Sequence, residues 1–471
     1  MPVLTVLQEK NKQEIPFRGE RLLSDLLAEG GYTVPHPCGG RGTCKKCMVQ
    51  LNGTRVLACR TVVTEYATVV LPTREVIASV TGGEQTARLT EHMCLGLDIG
   101  TTTLALALVS LDEKAIVRTV TAANPQRTFG ADVISRIDYA AKNGISALRR
   151  VLLEEVKQMV SSLLSSVGLN SVGCMYVAGN TTMLHLFFGE DCASLGVSPY
   201  TPVFLEERKE NGSFFTLDCV EEVVSLPGIS AFVGADIVAG IGYVGASAPQ
   251  KYRILLDLGT NAEIALFGED ILLCTAAAAG PCFEGANISC GMPAREGAVC
   301  AYSPQGECSV IGGGDATGIC ATGLIDVIAE WVRKGEIDET GFLEEDPKGI
   351  CENVFLTGRD IREFQLAKSA IRAAMECLLQ RAGLSFDQVE GLYVAGGFSA
   401  GLNIANTAYI GMIPAELSDR VKGINNSSLL GLVKHACSRG DSCPDLTAAQ
   451  YVDLSADNHF SDLFMEYMMF D

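Results

Sequence analysis

Short alternations of apolar and polar residues dominate the first 80 residues, and a period of two predicts half-buried strands. Such runs lie at residues 3–7, 14–17 and 67–71. Residues 21–28 instead place four leucines on one side of a short amphipathic helix, which ends before two consecutive glycines. The pattern predicts a small N-terminal domain that mixes α and β structure.

The pattern changes near residue 94, where continuous apolar runs alternate with helical segments. Two of these runs end in the same motif, Leu-Asp-x-Gly-Thr, at residues 97–101 and 256–260. A repeat of this kind, about 160 residues apart, predicts an internal duplication of a strand–turn–strand unit. Strands that alternate with helices are typical of an α/β architecture.

The amino-acid composition argues against several classes of function. The 471 residues carry a formal net charge of −20, so we expect neither nucleic acid nor an anionic membrane as a partner. Hydrophobic residues make up 48% of the chain, which supplies large cores and argues against disorder. The N-terminus has no apolar signal-peptide core, and no 18-residue stretch is free of charge. We therefore expect a cytoplasmic protein whose 18 cysteines are reduced, some of them as metal ligands.

Four cysteines in the first domain follow the spacing C-x5-C-x2-C-x11-C. They are Cys38, Cys44, Cys47 and Cys59. Glycines inside the first interval let the backbone wrap closely around an inorganic cluster, which favours a 2Fe–2S centre. Zinc is the main alternative, although zinc sites usually pair two C-x2-C knuckles and this chain offers one. A disulfide fits a reducing compartment less well.

The fourth cysteine is placed by a hairpin. Asn52-Gly53 is a strong signal for a two-residue turn. If that turn forms, the strand register puts Cys47 opposite Ala58, and Cys59 returns beside Cys47. The four thiolates are thus expected to converge without any long-range assumption.

Three strand–glycine turns in the larger region carry candidate nucleotide chemistry. Asp98 and Asp257, at the ends of two apolar runs, are expected to position Mg²⁺ or an attacking water. Glu263 is a candidate water-orienting base, with a structural strand position as the alternative. The residues predicted to cradle phosphates are Gly100, Thr101, Thr102, Gly259, Thr260 and Asn261, and those predicted to face adenosine are Gly396 and Gly397. Asn180, Thr181 and Thr182 follow a further glycine turn and either contact phosphate or cap a helix.

The order of these turns resembles the ASKHA superfamily of acetate and sugar kinases, Hsp70 and actin. That resemblance implies two duplicated α/β lobes with ATP in the cleft between them. The first domain resembles the plant- and adrenodoxin-type ferredoxins, a β-grasp fold that carries a one-electron 2Fe–2S cluster. One departure is the short spacing to Cys59, since many ferredoxins place the fourth cysteine much further along.

The combination resembles the ASKHA-domain ferredoxins that reductively activate corrinoid-dependent proteins. The resemblance also rests on residues 279–292 and 320–326, and within the first of these Glu284 and Asn287 either contact nucleotide or partner or are structural. The expected fold class is α+β and α/β. Its expected segments are a β-grasp ferredoxin domain (1–80), a linker (81–93), ASKHA lobe I (94–249), ASKHA lobe II (250–440) and an acidic tail (441–471). Whether the tail docks or binds a partner is left open.

This resemblance implies ATP-dependent, one-electron reduction of an inactive Co(II) corrinoid protein to Co(I). The implied cofactors are the 2Fe–2S cluster, ATP and Mg²⁺. The implied partners are a corrinoid protein of a methyltransferase system and an upstream low-potential electron donor. Longer family members carry an extra domain where this chain has a linker, so a homodimer stays open.

Three other functions remain as alternatives. The first is an electron carrier whose lobes only sense nucleotide, and the second is a small-molecule kinase with a structural cluster. No feature of the sequence names a phosphate acceptor. A third, an activator of the 2-hydroxyacyl-CoA dehydratase type, shares the ASKHA fold but holds a 4Fe–4S cluster between subunits. The other 14 cysteines, Cys282 and Cys290 near the cleft included, are expected to be packing residues.

Overall fold

The computed structural model describes residues 2–8, 11–30, 32, 34, 47–71, 87–259, 261–397 and 399–470. Cys38, Cys44 and Thr260, which the sequence predicts to be site residues, lie outside these ranges. No helix within them is long and apolar enough to cross a membrane.

The N-terminal unit is a five-stranded sheet covered on one face by a single helix. The elements of this unit are β1 (Val3–Gln8), β2 (Asn11–Pro16), β3 (Arg21–Leu22), α1 (Leu23–Glu29), β4 (Met48–Leu51), β5 (Thr54–Leu57), β6 (Val62–Val63) and β7 (Ala67–Val70). The sheet order is β2-β1-β7-β4-β5, with β1 and β7 parallel. The apolar face of α1 packs onto the sheet in one core, which also contains Cys47 and Cys59.

Lobe I is built on a six-stranded sheet in the order β10-β9-β8-β11-β13-β12. Its strands are β8 (Met93–Ile99), β9 (Thr103–Ser110), β10 (Ala115–Ala123), β11 (Val172–Gly179), β12 (Arg208–Asn211) and β13 (Val220–Ser225). Its helices are α2 (Val133–Asn143), α3 (Ser146–Val167), α4 (Thr181–Phe188) and α5 (Ala235–Val244). Every residue of β8 is buried, because both faces of the sheet are covered.

Lobe II has a second six-stranded sheet, in the order β23-β22-β14-β15-β16-β24. The strands of lobe II are β14 (Tyr252–Leu258), β15 (Ala262–Phe267), β16 (Leu272–Ala277), β17 (Ala298–Tyr302), β18 (Cys308–Val310), β19 (Gly318–Ile319), β20 (Lys348–Cys351), β21 (Val354–Leu356), β22 (Val389–Ala395), β23 (Val421–Gly423) and β24 (Ala449–Tyr451). Its helices are α6 (Ala321–Arg333), α7 (Gly358–Ala382), α8 (Ile404–Tyr409), α9 (Ser427–Cys437) and α10 (Asn458–Glu466).

The two sheets repeat one topology. The strands β10-β9-β8-β11-β13 of lobe I correspond in order to β16-β15-β14-β22-β23 of lobe II. In each set the first three strands run antiparallel, and the last three run parallel. The duplication predicted from the repeated Leu-Asp-x-Gly-Thr motif is therefore confirmed, as is the two-lobed architecture.

Two helices lie between the sheets and join the lobes. α5 and α9 pack closely together, because Gly431 of α9 lies directly against the backbone of Ala239 of α5. Although α9 follows the lobe II strand β23, Leu432 is part of the lobe I core. Conversely, Ile237 of the lobe I helix α5 packs into the core of the lobe II sheet. Each lobe thus contributes side chains to the other.

Residues 441–471, whose role the sequence left undecided, are docked onto lobe II. The strand β24 pairs in parallel with β16, and α10 packs on α7. Lys368, which is 1% exposed, donates hydrogen bonds to the carbonyls of Tyr467 (2.6 Å) and Met469 (2.5 Å). The described part of the tail is therefore part of the body of lobe II.

Candidate functional site

The β4–β5 hairpin brings two of the predicted cluster ligands together. Asn52 and Gly53 have φ angles of 48° and 81°, as a two-residue hairpin turn of type I′ requires. The amide of Ala58 donates to the carbonyl of Cys47 at 3.0 Å, so the register is the predicted one. The Sγ atoms of Cys47 and Cys59 are 3.2 Å apart, well beyond a disulfide bond of about 2.05 Å.

Both thiols are almost fully shielded from solvent, with 0% of Cys47 and 4% of Cys59 exposed. A thiolate pair in contact and out of water fits an iron–sulfur or zinc centre, because soft thiolates are the ligands these metals take. Cys38 and Cys44 would complete the set of four.

The repeated motif places Asp98 and Asp257 at equivalent points of the two sheets. Each is the second-last residue of its strand, β8 or β14. Asp98 pairs across the sheet with Ala178 of β11, and Asp257 pairs with Ala395 of β22. Duplicated topology therefore directs one carboxylate from each lobe into the same cleft.

The first turn of α9 connects these two carboxylates. Asn426, the N-cap of α9, donates to Asp98 at 2.7 Å, and Ser428 donates to the other oxygen of Asp98 at 2.8 Å. Ser427 donates to Asp257 at 3.2 Å. One helix terminus thus binds a carboxylate of each lobe.

Two further acids complete a carboxylate cluster, namely Asp236 in the first turn of α5 and Glu263 on β15. Asp98 is buried, and the other three are half-buried. Burial, followed by the negative charges of Asp257 and Asp98, raises the pKa of Asp236 to about 7. Burial and the charge of Asp98 raise the pKa of Asp257 to about 6, although the Ser427 hydroxyl opposes this shift. Burial, followed by the negative charges of Asp236 and Asp257, raises the pKa of Glu263 well above its usual range.

Four neighbouring acids with raised pKa values are typical of a site that accepts positive charge. Within the described residues, no group of three or more such side chains is arranged to ligate one metal directly. Mg²⁺ nevertheless fits the carboxylate cluster, because this ion keeps most of its waters and is usually held by one or two carboxylates.

Three polar side chains form hydrogen bonds to the first predicted phosphate turn. Arg136 is completely buried and donates to the carbonyl of Thr101 at 2.5 Å. Asn124 donates to the carbonyl of Gly100 at 2.9 Å, and Asn180 donates to the hydroxyl of Thr101 at 3.0 Å. These contacts fix the positions of residues 100–101.

Asn180 caps a helix, which is one of the two roles that the sequence allowed it, and it also contacts the first predicted phosphate turn. Its side-chain oxygen accepts a hydrogen bond from the amide of Met183 and caps α4, while its amide group holds Thr101. Thr181 and Thr182 are buried, at 3% and 1% exposure, and Thr181 donates to the carbonyl of Ser230 at 2.6 Å. Asn180 is therefore the member of this group that contacts the phosphate turn.

A further hydrogen bond joins the two lobes away from α9. The hydroxyl of Thr102 in lobe I donates to Glu284 in lobe II at 3.2 Å. Glu284 also lies close enough to Arg136 to favour the charged guanidinium, although burial lowers the pKa of Arg136 to about 9. Asn287, by contrast, donates to Glu363 at 3.3 Å within lobe II.

The glycine turn after β22 brings its backbone against the end of β14. Gly396 has a φ of 111°, and a Cβ there would overlap the carbonyl oxygen of Leu258. The next residue, Gly397, has no heavy atom within 4 Å of where its Cβ would be, so its backbone borders open space. In the second phosphate turn, the amide of Gly259 donates to the carbonyl of Asn261 at 3.0 Å. The roles predicted for these residues stay predictions.

Several thiols outside the ferredoxin domain are deeply buried. Burial raises the pKa of Cys94, Cys274 and Cys282 to about 12, which suits inert packing residues. Cys290 is half-buried and lies 3.9 Å from the carbonyl oxygen of Asn353.

Three family models match consecutive parts of the chain. The 2Fe-2S iron-sulfur cluster binding domain matches residues 6–65. The RACo middle region matches residues 93–247, and the C-terminal domain of RACo, the ASKHA domain, matches residues 251–471. The chain belongs to the RACo family of ASKHA-domain ferredoxins.

Relatives of this RACo-family chain are similar along most of their length. The corrinoid activation enzyme RamQ of Eubacterium limosum is 25% identical, over 98% of this chain and 98% of that protein. The Co(II) methylated amine-specific corrinoid protein reductase of Methanosarcina barkeri is 26% identical, over 71% of this chain and 68% of that protein. A solved structure, the reductive activator for corrinoid, iron-sulfur protein, has a TM-score of 0.70 at 25% identity and covers 99% of this chain and 98% of that one.

The sequence of this RACo-family chain did not identify four residues of the carboxylate cluster and of the helix start that contacts it, namely Asp236, Asn426, Ser427 and Ser428. A usable signal was present, because Asn-Asn-Ser-Ser before the apolar run Leu-Leu-Gly-Leu is a helix-cap pattern. That pattern predicts a helix start but carries no information about the carboxylates that the helix start contacts.

The carboxylate cluster predicts an unusual pH dependence of stability for this RACo-family protein without nucleotide or divalent cation. Folded-state pKa values above the unfolded ones mean that the folded protein binds extra protons, so this contribution to stability falls as pH rises from about 4 through 7. Asp236→Asn should therefore raise the free energy of unfolding more at pH 7.5 than at pH 5, with a difference on the order of 2 kcal/mol between the two pH values.

Chemical denaturation in EDTA at both pH values measures this difference. Asp419→Asn, at a carboxylate whose side chain is 80% exposed, is the matched control and should leave both values unchanged. Equal effects of Asp236→Asn at pH 5 and pH 7.5 would contradict a raised pKa of Asp236 in the folded protein.

Proposed function

We propose that the protein couples ATP to the one-electron reduction of a Co(II) corrinoid protein to Co(I). The observation that carries this proposal is a single chain in which a converging cysteine pair precedes two duplicated lobes with facing aspartates. Relatives named as a corrinoid activation enzyme and a corrinoid protein reductase support the identity of the acceptor.

The carboxylate cluster is proposed to bind the cation of Mg-ATP. Asp98 and Asp257 would hold Mg²⁺ through its water ligands, because the described acids do not form a direct metal site. Glu263, paired across the sheet with Asp257, is proposed to orient the attacking water. Gly100, Thr101, Thr102, Gly259, Thr260 and Asn261 would contact the phosphates, with Gly396 and Gly397 beside adenosine.

Nucleotide binding is proposed to change how the lobes pack. The first turn of α9 binds Asp98 of lobe I and Asp257 of lobe II, and Thr102 reaches Glu284 across the cleft. A cation that competes for these carboxylates alters contacts that span both lobes. A ligand shifts a conformational equilibrium through such differences in affinity.

The cluster would supply one electron at a time. We propose that it receives the electron from an upstream low-potential donor and that the acceptor belongs to a methyltransferase system. The reduction of Co(II) to Co(I) is energetically uphill for an ordinary ferredoxin, and each 100 mV for one electron corresponds to about 2.3 kcal/mol. ATP is the source of that free energy in this proposal.

The deciding experiment mixes the protein with a purified Co(II) corrinoid protein, a reductant and Mg-ATP, and follows the absorbance of Co(I). We expect Co(I) to form only when ATP and Mg²⁺ are both present. Mixtures with ADP, or with ATP and excess EDTA, are the controls. Co(I) formation at the same rate without ATP would contradict the coupling and favour a carrier that only senses nucleotide.

A further inference from the structure

The ferredoxin domain differs in charge from the rest of the protein. The chain has a net charge of −20, yet its first 71 residues contain nine Lys or Arg and six Asp or Glu. Residues 30–64, which include all four predicted cluster ligands, contain five Lys or Arg and no acidic residue. The basic charge is therefore concentrated in the segment that carries the cluster.

Part of this charge lies on the β4–β5 hairpin and the short segment that follows it, and we name four exposed residues of this part of the chain the basic cluster edge. It consists of Met48, Arg55, Arg60 and Val62. Met48 directly follows Cys47, and Arg60 directly follows Cys59. Met48 is 41% exposed and Val62 is 53% exposed, while both arginines are exposed. Arg55 lies on β5, the outermost strand on this side of the sheet.

The two arginines of this edge differ from the basic residues elsewhere in the domain. Among the described residues, neither Arg55 nor Arg60 forms an ion pair. On the opposite sheet edge, Lys12 pairs with Glu14 at 3.0 Å. The basic cluster edge thus presents uncompensated positive charge beside two apolar side chains and the buried thiols.

We infer that the basic cluster edge is the docking site for an acidic electron-donor protein. This inference rests on the proposed function, which requires a donor for the cluster. Opposite charges steer transient encounters and raise association rates, and electron-transfer complexes bury small interfaces of this kind. The corrinoid complex is expected to contact the lobes instead, because its stability must respond to nucleotide.

The test is the rate at which the oxidised full-length protein loses its visible cluster absorbance after mixing with a reduced, negatively charged flavodoxin. The variant Arg55→Glu/Arg60→Glu should lower the second-order rate constant about tenfold or more at low ionic strength. The difference from the unmodified protein should vanish near 1 M salt, where screening acts within about 3 Å. Lys12→Glu, on the opposite edge, should change the rate less than about twofold.

Two further measurements distinguish the possible explanations of a lowered rate. Photoreduced deazariboflavin, a small uncharged reductant, should reduce the cluster of every variant at the same rate. An unchanged flavodoxin rate in Arg55→Glu/Arg60→Glu, or an equal loss in Lys12→Glu, would overturn the inference. A loss confined to Co(I) formation from a chemically reduced cluster would also overturn it, since the corrinoid protein would then be the occupant. Failure of the proposed function itself would appear as normal cluster reduction without Co(I) in the unmodified protein.

Discussion

Asp257→Asn is expected to abolish ATP turnover and ATP-dependent Co(I) formation while leaving the visible spectrum of the cluster unchanged. Asparagine keeps the size of the side chain and its acceptor for the Ser427 hydroxyl, but it removes the negative charge. Carboxylate charge is what attracts Mg²⁺, and lost electrostatic stabilisation at such sites typically costs a hundredfold or more in rate. Phosphate release from ATP measures the loss.

The matched control is Asp326→Asn. Asp326 is a buried carboxylate of lobe II, and its pKa is raised as that of Asp257 is. It accepts a hydrogen bond from Asn406 at 2.6 Å, but it is not part of the carboxylate cluster. Its substitution should leave ATP turnover within about threefold of the unmodified value. Comparable losses in both variants, with both folded by circular dichroism, would indicate a general structural effect. Retained turnover in Asp257→Asn would remove Asp257 from the proposed site.

The aspartates of the two lobes could be predicted because they belong to a local motif. The motif Leu-Asp-x-Gly-Thr consists of consecutive residues, so it can be recognised locally. Its second occurrence predicted the internal duplication. The residues that bind these aspartates were out of reach, since Asn426 lies 328 positions from Asp98 and Ser427 lies 170 from Asp257. Their contacts depend on α9 packing against the other lobe, which no local pattern encodes.

The position of the tail, residues 441–471, could not be predicted from the sequence either. Its apolar C-terminal residues indicated that it binds something, but not what. In the structure β24 pairs with β16, and Lys368 of α7 holds the tail through backbone carbonyls. Every residue has a backbone carbonyl, so the sequence does not show which residues of the tail Lys368 contacts. The β4–β5 hairpin is the opposite case, because a two-residue turn sets its register over a few residues.

Cys59→Ser is expected to remove the cluster and all electron transfer to Co(II), while ATP turnover continues. A serine hydroxyl is a harder and far less acidic ligand than a thiol, so it is a poor substitute at an iron–sulfur site. The unmodified protein should be red-brown, with about two iron and two acid-labile sulfides per chain. Iron and sulfide analysis, together with visible absorbance, measures the loss in the variant.

Cys59 is buried in the ferredoxin core, so a buried hydroxyl alone costs about 1–3 kcal/mol and has to be separated from loss of the cluster. Cys59→Ala buries no hydroxyl and provides that separation, since it should also lose the cluster. Cys47→Ser should give the same metal-free product, because its sulfur is 3.2 Å from that of Cys59. Cys290→Ser, at a half-buried thiol of lobe II, should keep full iron content and Co(I) formation. Colourless unmodified protein containing zinc would overturn the cluster assignment. Because the ASKHA lobes have their own cores, ATP turnover that persists in the cluster variants would place the two activities in separate parts of the chain.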